Sequence, residues 1–188
     1  SEMCIRDRVG LHITPKLDLI AGARITRDEI TLDYHRAPTP GAVYIPGSVT
    51  LDLHQEVENT NISWRIGPRY NFSDDIMAYA TVSRGYKGPG FSGLSAANSL
   101  ADQRVQPEIP TSYEVGMKAA FLDRRLIVNA NVYSTTVKNF QAQVSDLTSA
   151  TYSSRITNAG QIETRGVEAN LVARPAAGLT LTAGVAYT

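Results

Sequence analysis

The chain has 188 residues, with 18 Lys and Arg balanced by 18 Asp and Glu. It therefore lacks the positive field that nucleic-acid binding requires. One cysteine excludes an internal disulfide framework, and no apolar run approaches the ~18 residues of a membrane helix. A membrane barrel remains open, because its strands need only ~9–11 residues with alternate ones apolar.

The first eight residues stand apart. "SEMCIRD" can be written TCG GAG ATG TGT ATA AGA GAC, with AG opening Arg8, which resembles the end of a transposon-type sequencing adapter. Residues 1–8 are expected to be translated adapter, so that Cys4 carries no biology and native sequence runs from 9 to 188.

Val9–Thr14 has the pattern of a strand's tail, and Pro15 sets a tight turn. "LDLIAGARIT" then alternates. Leu17, Leu19, Ala21, Ala23 and Ile25 share one face, against Asp18, Gly22, Arg24 and Thr26. "RAPTPGAVYIPGS" is too rich in Pro and Gly for a strand interior. Alternation resumes at "NISWRIGPRYNF", with Ile62, Trp64, Ile66, Tyr70 and Phe72 on the apolar side and Pro68 removing one ladder donor. "SDD" turns into "IMAYATVSR", a strand whose two faces the sequence does not distinguish. A long loop follows, "GYKGPGFSGLSAANSLADQRVQPEIP".

The clearest hairpin is "YEVGMKAAFLDRRLIVNANVYS". Tyr113, Val115, Met117, Ala119 and Phe121 oppose Glu114, Gly116 and Lys118. After a turn at Asp123–Arg125, Leu126, Val128, Ala130 and Val132 continue the apolar side. The second strand is expected to run on into "NFQAQV". A loop through "SDLTSATYSS" leads to a strand at "QIETRGVEANLVA". "RPAAG" turns into "LTLTAGVAYT", which alternates to Thr188.

Short turns thus centre near positions 15, 74, 124 and 176, and one longer connection lies between each pair. Up-and-down membrane barrels sort their connections this way. The strands also exceed the ~5–6 residues usual in soluble sheets. The polar faces are rich in Gly, Thr and Asn and poor in Lys, which is unusual for a solvent-washed face. The fold expected is therefore all-β: about eight antiparallel strands, part of a larger up-and-down transmembrane barrel. Tyr70, Phe72 and Phe121 beside the short turns fit an interfacial aromatic girdle. Arg24, Arg65, Arg69, Glu114, Lys118 and Glu168 fall on the polar face and are expected in the lumen, since Arg or Lys facing lipid costs ~2–4 kcal/mol near the midplane.

"YNFSDDIMAYATVSRGYKGPGF", "VQPEIPTSYEVGMKAAFLDRRLIVNANVY", "NAGQIETRGVEANL" and "LDLIAGARITRDE" resemble, in order and spacing, the barrel of TonB-dependent outer-membrane receptors. The resemblance covers Val9 to Thr188, with Pro107, Glu108, "YEVGMK" and "RGVE" as scaffold elements. It implies a plug domain and final strands beyond these 188 residues. It further implies an energy-coupling complex engaged through the plug, a Gram-negative outer membrane as location, and a ferric siderophore or related iron complex as cargo. Haem, cobalamin and carbohydrate are known variants in that family. A passive porin-like barrel is the alternative function, with a soluble β-sandwich binding module after it.

No enzyme is expected, because nothing resembles a nucleophile elbow. "GYKGPG" lacks the Walker order, and His12, His35 and His54 have no companions at metal-ligand spacing. No cofactor or metal is expected either. For ligand contact the candidates are aromatic and polar residues of the long connections: Tyr34, His35, Arg84, Tyr86 and Phe91. Aromatic rings could pack on a chelate, and arginine could pair with an anionic one.

Overall fold

The computed structural model describes residues 2–36, 51–92, 104–146 and 153–188. The strands are β1 (Glu2–His12), β2 (Leu17–Arg36), β3 (Leu51–Asn71), β4 (Ile76–Arg84), β5 (Gly90–Phe91), β6 (Arg104–Val105), β7 (Ile109–Phe121), β8 (Leu126–Lys138), β9 (Gln141–Asp146), β10 (Ser153–Asn158), β11 (Gln161–Ala176) and β12 (Leu179–Tyr187). Eight of them form one antiparallel sheet in the order β1-β2-β3-β4-β7-β8-β11-β12. Each long strand pairs with its neighbour in sequence, as an up-and-down meander requires. The sheet is open, with β1 and β12 as its outer strands.

The ladder fixes which side chains share a face, because directly opposed residues in an antiparallel pair point the same way. Leu19, Pro68, Val115, Val132, Val167 and Tyr187 lie on one cross-sheet row, and Leu17, Tyr70, Ala78, Met117, Ala130, Ala169 and Val185 on the next. The expected apolar face is thus continuous across the sheet. It also resolves β4: Ile76, Ala78, Ala80 and Val82 belong to the apolar face, and Met77, Tyr79, Thr81 and Ser83 to the polar one.

Among the described residues nothing covers the apolar face. Of the described residues, Leu53, Val105 and Ala119 are the buried hydrophobics, whereas twenty-five large hydrophobic side chains are exposed, from Met3 to Tyr187. A soluble β-sandwich would bury such a face under a second sheet. Among the described residues the other sheets are two-stranded, β5-β6 and β9-β10.

Aromatics bound this apolar surface at two levels. Trp64 and Phe72, and likewise Tyr113 and Phe121, are eight positions apart on their strands. Tyr187 stands eight positions beyond Leu179, at the other end of β12. Eight residues span about 26 Å of strand, or roughly 20 Å along the membrane normal after a ~40° tilt, close to the ~25 Å apolar band of such barrels. Tyr70 and Phe72 also meet edge to face, with ring centroids 4.9 Å apart.

The short turns fall where the sequence puts them, and they are tied together. Asn71 N–H donates to Lys16 O, Ala120 N–H to Asp75 O and Arg174 N–H to Arg125 O. Arg124 Nε donates to Asp75 at 3.0 Å.

Several boundaries differ from expectation. β8 ends at Lys138 instead of continuing through Gln143, because Asn139 adopts a left-handed φ of 56° and breaks the ladder. Asn is among the few non-glycine residues that visit this region readily. Gln141–Asp146 instead forms the hairpin β9-β10. The connection after β4 contains the small ribbon β5-β6, and β7 begins at Ile109. β2 and β3 are 20 and 21 residues long and extend well past the expected strands. The centre of the Pro-rich stretch between them, positions 37–50, lies outside the described residues. Pro68 pairs with Leu19 on the β2 side, but the β3-β4 ladder skips Gly67 and Pro68, consistent with its missing donor.

Candidate functional site

The polar face of the sheet is where solutes or a protein partner could be met, and its rows are polar across many strands. One runs Asp18, Arg69, Tyr79, Gly116, Asn131, Glu168 and Ala186; another Thr81, Glu114, Tyr133 and Gly166; a third Met77, Lys118, Asn129, Asn170 and Gly184. Arg24 faces Ser63, and Arg65 faces Gly22 and Ser83. The register therefore puts all six charged residues, Arg24, Arg65, Arg69, Glu114, Lys118 and Glu168, on the face opposite the apolar one.

A concavity of about 470 Å³ lies on this side over β2–β4 and β7, bordered by Arg24, Arg65, Arg69, Tyr79 and Lys118, with Arg6, Asp7 and Arg8 of the first eight residues along its β1 edge. Buried Asp18 holds one of the bordering residues, Arg69. It accepts from Arg69 Nε at 2.9 Å and Nη2 at 2.5 Å, and from His12. Glu114 accepts from Tyr79 Oη at 2.5 Å, so its partner is on the neighbouring strand. The Tyr79 ring lies over Gly116, where a Cβ would come within 2.6 Å of it. Tyr133 covers Gly166 in the same way, at 2.7 Å.

The long connections gather at the opposite end from the short turns. There β2 and β3 continue as a paired arm, Arg27–Arg36 against Leu51–Thr60, with no break in register. Tyr86 lies against the arm's half-buried side, donating its hydroxyl to Asp28 at 2.6 Å with Asn59 Oδ1 at 3.1 Å. Phe91 sits in β5 opposite Arg104. Tyr34 is on the arm face that Asp28 and Asn59 share. His35 is on the other, where it pairs with Asp52, while His54 pairs with Asp33. Arg84 ends β4 in register with Trp64 and Thr111, which gives it the parity of the apolar face, and it also borders the concavity. Tyr34, Tyr86 and Phe91 thus belong to the loop end, whereas His35 is turned to the arm's outer side. No group of three or more His, Cys, Asp or Glu suited to a metal ion occurs among the described residues.

Sequence reasoning passed over one polar centre as mere scaffold. Buried Glu108 accepts from Lys87 Nζ at 2.9 Å and from Gln141 N–H at 2.8 Å. Burial pushes its carboxyl up, but the Lys87 ammonium and the Gln141 N–H outweigh that and hold it below the usual carboxylate range. The Pro-Glu just before a strand is its only signal in the sequence.

A single sheet with one bare apolar face, aromatics at both rims and connections sorted by length matches a membrane-barrel segment. The sequence matches the family model described as TonB dependent receptor-like, beta-barrel, over residues 5–188. This chain belongs to the TonB-dependent receptor β-barrel family. Among curated relatives, it is 24% identical over 178 residues to the ferric-pyoverdine M114 receptor PbuA of Pseudomonas sp. strain M114, covering 95% of this chain and 20% of that protein. It is 23% identical over 171 residues to the catecholate siderophore receptor Fiu of Escherichia coli K12, covering 83% and 22%. Among solved structures, the ferric yersiniabactin uptake receptor FyuA from Yersinia pestis superposes with a TM-score of 0.77 at 21% identity, over 98% of this chain and 26% of that one. The chain therefore spans about a fifth to a quarter of the receptors it matches, and its eight strands are an arc of a TonB-dependent receptor barrel. The relatives named are receptors, not enzymes.

Proposed function

We propose that this chain is the wall of an outer-membrane receptor for energy-coupled uptake of a ferric siderophore or related iron complex. The observation that carries the reading is the two-faced sheet. Its apolar side is bare over a height that fits the hydrocarbon core, and its polar side carries charges on consecutive rows. In this reading Arg24, Arg65, Arg69, Glu114, Lys118 and Glu168 face the lumen. They are partners for a plug domain, through which the TonB complex transmits force. Tyr34, Tyr86 and Phe91 at the loop end, with Arg84 beside the concavity, are the proposed ligand contacts, and His35 contributes from the arm's outer side. The iron-chelate functions of PbuA and Fiu support this cargo over other solutes. The first eight residues are proposed to be adapter-derived. In β1, Asp7 falls on the row of Ala23 and Trp64, and Arg6 faces Arg24 across the ladder, neither of which favours a membrane strand.

The test uses the complete gene in its host. Deletion should abolish growth on the chelates it serves under iron limitation, and radiolabelled ferric-chelate uptake should vanish equally when TonB is deleted. Uptake that persists without TonB, at a rate proportional to external concentration, would establish a passive porin instead.

A further inference from the structure

The connections at the loop end are knotted through one carboxylate. Backbone bonds join Lys87 and Glu108 reciprocally, each N–H donating to the other's carbonyl at 3.0 Å, and Gly85 N–H donates to Pro110 O. The Glu108 side chain adds the Lys87 ammonium and the Gln141 N–H, both on Oε1. Gln141 in turn donates through Nε2 to Gly88 O and Gln106 O, each at 3.0 Å. Asn158 donates to Gln106 O at 2.9 Å and to Asn139 O at 2.7 Å, and accepts from Gln106 N–H at 2.8 Å. Ile156 N–H reaches Ser92 Oγ at 3.0 Å. Two connections distant in sequence, β4 to β7 and β8 to β11, are therefore one hydrogen-bonded body.

Glu108 sits at its centre for a physical reason. Gln141 opens β9 just after the left-handed Asn139, where β8 has broken off, and its N–H turns to the Glu108 carboxylate as acceptor. Among the described residues of these connections the apolar cover is thin, with Pro89, Val105 and Pro107 buried. Polar bonds converge on this region, so losing one hub loosens several segments at once.

We propose that Glu108 is a positioning residue, a latch that sets the arrangement of segments 85–92, 104–110, 139–142 and 156–160 at the barrel mouth. Through Tyr86 the same body is tied to the β2-β3 arm. Its bearing on ligand capture rests on the uptake reading; the latch itself does not.

The experiment is amide hydrogen exchange on the complete receptor in detergent. In Glu108→Ala the amides of Lys87, Gln141 and Ile156–Ala159 should exchange at least tenfold faster, with Tyr113–Phe121 and Leu126–Val132 unchanged. In Glu108→Gln the Gln141 acceptor is kept and the charge facing Lys87 is lost, so acceleration should be smaller but confined to the same segments. If the alanine variant does not assemble, the glutamine variant decides. Exchange equal to the parent in every assembled variant overturns the latch, as does uniform acceleration through the sheet. Ferric-chelate uptake by the same strains separates the two proposals. Local loosening in a receptor whose parent takes up no chelate removes the uptake reading and leaves the latch, whereas chelate uptake with unchanged exchange does the reverse.

Discussion

The hairpin β2-β3 holds two regions that one ladder makes comparable. From Leu17↔Tyr70 to Arg36↔Leu51 its register never slips, yet the content of its faces reverses part-way. Below the reversal, the side shared by Leu19, Ala21, Ile25, Ile62 and Ile66 is apolar, and Asp18, Arg24, Arg65 and Arg69 occupy the other. Above it, the first side becomes Arg27, Glu29, Asp33, His35, Asp52, His54, Glu56 and Glu58, all exposed. The second side becomes Ile30, Leu32, Tyr34, Leu53 and Val57, all half-buried or buried. Backbone geometry is the same in both parts, so what differs is the surroundings. In the lower part the outer neighbour is lipid; in the upper part it is water, and the inner side meets the loop body through Tyr86, whose hydroxyl joins Asp28 and Asn59. The change between Ile25 and Arg27, and between Thr60 and Ile62, marks where this hairpin leaves the membrane.

The most direct way to break this comparison is to put the same charge on the same side of both regions. Ile66→Arg should cost about 2–4 kcal/mol, because it puts guanidinium in hydrocarbon. Glu56→Arg, five turns of the pleat higher on that side, should stay within about 0.5 kcal/mol as an exposed substitution. Urea unfolding of the complete receptor in lipid vesicles measures both, and equal losses would erase the membrane boundary.

The polar side of the lower region makes a second demand, which is close fit. A Cβ at Gly116 would lie 2.6 Å from the Tyr79 ring, so Gly116→Ala should destabilise by about 1–3 kcal/mol through overpacking. Adding Tyr79→Ser should return most of that loss, because it removes the atoms in conflict. A double variant as unstable as the single one would show that the glycine serves its backbone and not the ring above it.

The turns that close the lower region offer a gain instead. Leu122, Asp123 and Arg124 all have positive φ, at 55°, 53° and 65°, a region that costs L-residues about 1–2 kcal/mol each. Asn-Gly in place of Asp123-Arg124 puts residues tolerant of positive φ at the centre of the four-residue turn between Phe121 and Leu126 and should stabilise by about 0.5–1 kcal/mol, less what the exposed Arg124–Asp75 pair contributes. No rise in the unfolding midpoint would mean that the Asp75 contact matters more than the backbone.

How legible each region was in the sequence follows from the same contrast. In the lower region lipid enforces a strict period of two, so "YEVGMKAAF" and "LTLTAGVAYT" read directly as strands with known faces. β4 resisted because Ala78, Ala80, Thr81 and Ser83 differ little in polarity; only the ladder assigns its sides. The arm escaped because its alternation is inverted relative to the strand below it, and the Pro and Gly of "RAPTPGAVYIPGS" mark only a loop beyond it. The end of β8 at Asn139 and the hub at Glu108 depend on long-range bonds to Gln141 and Lys87, which no local pattern encodes. Tyr34 and His35 are both ligand-contact candidates by residue type, yet adjacent strand residues point to opposite faces. Tyr34 joins the packed side and His35 the solvated one.

The mildest test addresses the solvated side of the arm, where two reciprocal pairs, His35–Asp52 and Asp33–His54, sit two residues apart across the ladder. Asp33 holds the His54 imidazolium above the usual histidine range, first through its hydrogen bond and then through its charge, with Glu56 adding to it. A histidine whose folded pKa is raised stabilises the folded state fully below its unfolded value near 6.5, and loses that contribution as pH rises through the folded value. Pairing at the tip of the arm should therefore be tighter in mildly acidic medium and relax toward neutrality and above, while the lipid-facing ladder below Ile25 does not respond. The effect is small, because the group is solvent-exposed and screened by salt. A titration of the His54 ring by NMR in the complete receptor should show its pKa falling toward 6.5 in Asp33→Asn and in high salt. An unchanged midpoint in both would mean that the cross-strand pair does not persist in water, and that the arm is held by its packed inner side alone.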